Sequence, residues 1–233
     1  MTRNLKALLA AAMALTVFGA LSATAHAAEE KFHCSVEPCT LTLSPDGTGT
    51  TAHHVLIVKN AGGESSSIKC SGLSGHATTL TKATESVTAT GLVYSTCKVN
   101  GSSPLVLRMN LCDYKFTSKL SGVLLGAQVH VECPTEKHIE LEIPETGCIF
   151  TVTPQTATGI FYHNIGVKGS GLTETTVEVR LKNLSVEVAK VGTGCLPKAE
   201  VGQTLSAEYT TGNTLVTAEK DNVNKEMVEG WWE

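Results

Sequence analysis

A chain of 233 residues with 42% hydrophobic and 17% charged side chains is too apolar for disorder and has no collagen-like repeat. Its net charge of −4 argues against nucleic acid or an anionic membrane surface as partner, because either requires a basic patch that displaces counterions. Thr is frequent at 31 residues, Asp is confined to Asp46, Asp113 and Asp221, and there are eight cysteines. That profile points to strands and covalent bridges and leaves few aspartates for catalysis.

The chain begins with Arg3 and Lys6, then an apolar run from Ala7 to Leu21 that closes on Ala25-His26-Ala27. Small residues at those two positions are what signal peptidase reads, so residues 1–27 are expected to be a helical signal peptide cut after Ala27. The run of about 15 residues is shorter than the roughly 20 needed to span a bilayer. Cleavage would leave 206 residues with 16 basic and 22 acidic side chains, a charge of −6. No later apolar stretch is long enough for a transmembrane helix. All eight cysteines survive the cut, and an even count in an exported chain reads as disulfides rather than metal ligands or redox thiols. The expected location is outside the cell or at its envelope.

Past the signal, short Val-, Ile- and Thr-rich runs alternate with Gly-, Asn- and Ser-rich breaks. Strands are predicted at His54–Lys59, Ala77–Lys82, Ser86–Tyr94, Asp113–Ser118, Val123–Glu132 and His138–Ile143. More are predicted at Cys148–Thr153, Gly159–His163, Thr175–Leu181, Leu184–Val191, Thr204–Thr210 and Thr214–Glu219. Their spacing predicts an all-β fold, an antiparallel β-sandwich or barrel-like domain over residues 28–223, with a C-terminal tail at 224–233. A subdivision is expected, if anywhere, near 119–122.

Alternation also predicts register. A meander that sets apolar beside apolar pairs Val131 with Ile139 and Val129 with Leu141, then Ile143 with Cys148, Leu141 with Phe150 and Ile139 with Val152. Its outer face would place Glu132 across from His138 and His130 across from Glu140. A second hairpin is expected at Thr175–Leu181 and Leu184–Lys190 around Lys182-Asn183. There Val179 would face Val186, and Arg180 would relieve a Glu178–Glu187 pair.

Eight cysteines allow 105 pairings. Setting Phe116 against Val129 brings Cys112 opposite Cys133, and the meander would hold Cys133 and Cys148 on the order of 15 Å apart, beyond disulfide reach. The expected bridges are Cys112–Cys133, a local Cys34–Cys39, and Cys70–Cys97 with Cys148–Cys195 as the remainder.

Candidate chemistry is sparse. His130, Glu132, His138 and Glu140 would form a surface metal site if the meander held, and the same face would supply paired carboxylates for a hydrolase. The solvated-face reading, with His–Glu cross-strand pairs, is the stronger one. His53-His54 point to opposite faces of a strand and share no metal. No serine sits in a Gly-x-Ser-x-Gly elbow, and no glycine cluster is followed by a Lys-Ser/Thr pair. Trp231 and Trp232 would either stack on a ligand or dock as a last strand, with docking favoured.

The segments FHCSVEPC (Phe32–Cys39), AHHVLIVKNAGGES (Ala52–Ser65), MNLCDYKF (Met109–Phe116), HVECPTEKHIELE (His130–Glu142), TGCIFTVTPQT (Thr146–Thr156), GIFYHNIG (Gly159–Gly166) and YTTGNT (Tyr209–Thr214), with the terminal WWE, resemble a family of exported, Thr-rich, cysteine-bearing proteins of actinobacteria. The resemblance implies a secreted β-rich fold held by disulfides and brings no activity or functional residue. The expected function is a non-enzymatic binding or structural module without a cofactor, its partner a cell-wall polymer or an extracellular protein. The alternative is a metal-dependent or carboxylate-based hydrolase on the His130–Glu142 face.

Overall fold

A computed structural model describes residues 31–45, 54–79, 81–117, 127–165, 174–212, 214–220 and 226–232. The expected signal peptide and the boundary at 119–122 lie outside the described residues. Among these residues every regular element is a strand. In chain order they are β1 (Phe32–Cys34), β2 (Cys39–Pro45), β3 (His54–Lys59), β4 (Ser65–Cys70), β5 (Gly72–Thr79), β6 (Ala83–Thr84) and β7 (Ser86–Ser95). Next come β8 (Lys98–Val99), β9 (Ser103–Pro104), β10 (Val106–Arg108), β11 (Asp113–Thr117), β12 (Ala127–Glu132) and β13 (Ile139–Ile143). The rest are β14 (Cys148–Val152), β15 (Gln155–Ile165), β16 (Glu174–Lys190), β17 (Thr204–Thr210), β18 (Thr214–Glu219) and β19 (Gly230–Trp232).

Eight strands close an antiparallel barrel in the order β15-β12-β11-β7-β5-β2-β18-β16, with β16 returning to β15. Closure leaves this sheet without an edge on which another chain could template. A second, open sheet runs β10-β13-β14-β16-β17-β3-β4-β8-β9. The two share β16, whose first half pairs with β15 and β18 and whose second half pairs with β14 and β17. A small sheet, β19-β1-β6, carries Phe32 into one end of the barrel interior, beside Leu41, Ala77 and Val216. Within the expected C-terminal tail, Gly230–Trp232 form a last strand paired with β1.

Three long strands change face partway, each beside a residue with positive φ. In β7 the inward side chains are Val87 and Ala89, then Leu92 and Tyr94, and the switch falls at Gly91, φ +61°. In β15 they are Ala157, then Ile160 and Tyr162, with the switch at Gly159, φ +127°. In β16 they are Val177, Val179 and Leu181, then Leu184, Val186 and Val188, with Asn183 at φ +58°. The pairing registers shift at each of these places, so each is a β-bulge. An extra residue unpairs the ladder locally, bends the strand and increases its twist, which is how a sheet is curled shut.

The bulge in β16 corrects the expected hairpin. Residues Glu174–Lys190 are one strand, so Val179 pairs with Ile160 and Val186 with Leu205 rather than with each other. A two-residue turn and a bulge both reverse the parity of buried positions, and local sequence does not separate them. The Arg180–Glu178 ion pair forms within the strand, at 2.6 Å.

The meander is half right. β13 and β14 pair with Ile139 opposite Val152, Leu141 opposite Phe150 and Ile143 opposite Cys148, and all but Val152 of these side chains are buried. β12, however, pairs with β11 and β15, and β13 with β10. The six residues between β12 and β13 do not form a tight hairpin; they carry the chain from the barrel to the second sheet. The predicted strand Ala77–Lys82 is also displaced, since β5 begins earlier, at Gly72, and is described to Thr79.

The cysteines form four bridges, Cys34–Cys39, Cys70–Cys97, Cys112–Cys133 and Cys148–Cys195. Phe116 does lie opposite Val129, which carries Cys112 to Cys133. Cys133 and Cys148 are kept apart not by a β12–β13 pairing, which is absent, but because Cys133 follows β12 of the barrel and Cys148 opens β14 of the second sheet. Cys148–Cys195 pins the segment after β16 onto the β13–β14 turn. There Gly192 packs so closely on the Thr146 carbonyl that a Cβ would lie 1.7 Å from its oxygen.

Candidate functional site: an apolar cavity with a tyrosine chain on its wall

Inward-facing residues of the barrel and of the second sheet do not fill the space between them. They leave a cavity of about 100 Å3, lined from the barrel by residues such as Phe116, Val129, Ala157 and Val177, and from the second sheet by Leu56, Leu107 and Leu141. A further cavity of about 50 Å3 toward Phe32 shares Leu43, Phe116 and Val177 with it, so the two adjoin along the barrel interior. Eight-stranded barrels are just wide enough either to fill with side chains or to hold one small ligand. Among the described residues no Lys, Arg, Asp or Glu lines either space.

Polar atoms converge at one place on this wall. His54 Nδ1 lies 2.7 Å from Tyr209 Oη, Tyr209 Oη lies 3.0 Å from Tyr94 Oη, and Tyr94 Oη lies 3.1 Å from Tyr114 Oη. Tyr94 and Tyr114 come from β7 and β11 of the barrel; His54 and Tyr209 come from β3 and β17 of the second sheet. The imidazole also stacks on Tyr209 and meets Tyr94 edge-on, with ring centroids 6.2 Å and 5.5 Å away. Each residue occupies an apolar-parity position of its strand, so the polar tips meet where alternation would put aliphatic groups. Gln155 and Thr211, also on the wall, are engaged with backbone groups of β16; Thr214 adds a small hydroxyl.

The three tyrosines are half-buried, and all three line the cavity. Burial pushes all three phenols above their ordinary range, and the prospect of a phenolate on a neighbouring ring pushes them further. The folded pKa is raised above the unfolded value of about 10, so this stability is complete below pH 10 and is lost as pH rises beyond it. Each tyrosine kept protonated steepens the loss by about 1.4 kcal/mol per pH unit, or roughly 4 kcal/mol for three. Alkaline titration followed at 295 nm and by circular dichroism is expected to show these phenols ionising only together with unfolding. Reversible ionisation of all tyrosines near pH 10 with the fold intact would contradict the burial.

The residues singled out in the sequence fall elsewhere. His130, on β12, lies between Lys115 and Thr156 in register, with Nδ1 2.7 Å from Thr156 Oγ1 and Nε2 3.4 Å from Thr117 Oγ1. Glu132 faces Asp113 and contacts Lys115 at 3.7 Å. Asp113 is held above the usual carboxylate range by burial first and by the Glu132 charge second. Glu140 belongs to the other sheet, where Arg108 bridges it and Glu142 at 2.5 and 2.6 Å. His138 precedes β13 and accepts from Asn110 Nδ2 at its backbone carbonyl. The supposed metal quartet is thus divided between two sheets because its β12–β13 pairing does not exist. Among the described residues no group of three or more His, Cys, Asp or Glu side chains is placed to hold a metal ion. Trp231 pairs with His33 and Trp232 with Phe32 through the backbone, while their side chains lie outside what is described.

Sequence reasoning missed the cavity and the tyrosine chain. Tyr114 lies in the predicted strand Asp113–Ser118 and Tyr209 in Thr204–Thr210, but nothing local says that two sheets bring these hydroxyls together. Comparison with family models, curated proteins and solved structures finds no match for the chain. Among the described residues no helix is long and apolar enough to cross a membrane.

Proposed function

We propose that this protein is a non-enzymatic binding module working outside the cytoplasm, and that it takes a small apolar ligand into the space between barrel and second sheet. The observation that carries the reading is the cavity itself, apolar over nearly all its wall and backed by a closed barrel. Well-formed apolar pockets with a few convergent polar groups are the usual form of small-molecule sites. Four disulfides support an oxidising compartment, in keeping with the export signal read in residues 1–27.

Apolar cavities of about 150 Å3 take up benzene, so one-ring molecules suit adjoining spaces of about 100 and 50 Å3. Toluene at several times its Kd is expected to raise the Tm by about 2 °C, following the mass-action stabilisation of the folded state. Ala157→Leu, which fills the cavity from its barrel wall, is expected to abolish that shift while unfolding stays cooperative. Absence of any shift in the parent protein across a series of one-ring hydrocarbons would rule the reading out.

A further inference from the structure

We propose that the His54–Tyr209–Tyr94–Tyr114 chain is the polar subsite of this cavity. Resting on the ligand-binding reading above, it would select a neutral apolar molecule bearing one hydroxyl, a small phenol or alcohol, over both the bare hydrocarbon and a carboxylate.

Three hydroxyls have one hydrogen each, and three contacts link them to one another and to His54 Nδ1. If Nδ1 carries its hydrogen, it donates to Tyr209, Tyr209 to Tyr94 and Tyr94 to Tyr114; the Tyr114 hydrogen is then left over. If Nδ1 accepts, Tyr209 donates to it, Tyr94 to Tyr209 and Tyr114 to Tyr94; Tyr114 then offers only lone pairs. The chain therefore runs in either sense, and its terminal hydroxyl, on a tyrosine that lines the cavity, is a donor in one and an acceptor in the other.

A ligand hydroxyl matches both states, since it can itself donate or accept. A ketone or ether matches only the donating state; a hydrocarbon matches neither, and in the donating state it leaves the Tyr114 hydrogen without an acceptor. A carboxylate would enter a wall on which, among the described residues, there is no Lys or Arg, so its charge would be buried without a counter-ion from them. The raised tyrosine pKa values agree with a site that disfavours negative charge.

The test is a calorimetric comparison of toluene, para-cresol and para-toluate at pH 7 on the disulfide-intact protein. Para-cresol is expected to bind about fivefold more tightly than toluene, in the range of one net hydrogen bond, and para-toluate not measurably. Tyr114→Phe is expected to erase most of the preference for para-cresol over toluene. The double variant Tyr94→Phe with Tyr114→Phe, which also removes the next hydroxyl along, is expected to erase the remainder. Equal affinity for toluene and para-cresol in the parent protein would overturn the subsite and leave the cavity reading standing. So would a preference that survives the double variant, or para-toluate binding as tightly as para-cresol. Failure of both toluene and para-cresol to bind would instead remove the cavity reading itself. The comparison of toluene, para-cresol and para-toluate in the parent protein tests the subsite even where a variant does not fold.

Discussion

Gly159→Ala is expected to destabilise the protein by about 4 kcal/mol, among the largest effects a single methyl group can have. Gly159 is the extra residue of the β15 bulge, with φ at +127°, a conformation that is essentially confined to glycine. A Cβ there would also lie 2.1 Å from the carbonyl oxygen of Arg180. That oxygen belongs to the backbone of β16, so it cannot swing away as a side chain would. Relief would require opening the β15–β16 seam on which the barrel closes. Gly101→Ala is the control: its φ is +81°, but an added Cβ meets nothing within 4 Å, so backbone strain alone applies, about 1–2 kcal/mol. Urea unfolding of the two variants separates strain from collision. A Gly159→Ala protein within 1 kcal/mol of the parent would mean that the seam tolerates movement and that the bulge does not hold the barrel shut.

Replacing Cys148 and Cys195 together with serine is expected to cost about 4 kcal/mol, against about 2 kcal/mol for the same change at Cys34 and Cys39. The difference follows from chain entropy: the bridges join residues 47 and 5 apart in sequence, and a longer closed loop restricts the unfolded chain more. The longer bridge also fixes the segment after β16, where Gly192 N–H contacts Cys195 Sγ at 3.0 Å. Equilibrium denaturation under non-reducing conditions measures both. Equal losses in the two double variants would show that native-state packing around each bridge, rather than loop length, sets its contribution.

Local alternation carried the strand inventory well. His54–Lys59, Thr204–Thr210 and Thr214–Glu219 occur with the bounds expected of them, because each is a plain period-two run flanked by turn residues. The β13–β14 register was legible for a related reason: Ile139, Leu141 and Ile143 have only one face that suits a core, and a slip by one residue would expose all three. Cys112 and Cys133 were legible through the same parity, carried by Tyr114, Phe116, Val129 and Val131.

The errors share one cause, which is that alternation describes faces and not neighbours. Nothing in Val129–Val131 distinguishes β15 from β13 as the next strand, because both offer an apolar face of similar length. The parity change at Lys182-Asn183 admits a turn or a bulge, and only the strands waiting on either side, β15 and β18 before it and β14 and β17 after it, decide for the bulge. The metal quartet dissolved with the β12–β13 pairing, and the tyrosine chain went unseen because its members come from four strands spread between residues 54 and 209.

By itself, then, the sequence determined that the chain is all-β, that its strands bury one face, and which cysteines end strands of matching parity. These are local properties, set by side-chain period and backbone preference over a few residues. Only the tertiary structure decided that one sheet closes into a barrel, that β16 serves two sheets, and that His54, Tyr94, Tyr114 and Tyr209 meet at an unfilled cavity. Those outcomes depend on how bulges add curvature around a whole barrel and on how much volume is left over inside it. Volume is a sum over many strands, and no single segment of the chain contains it.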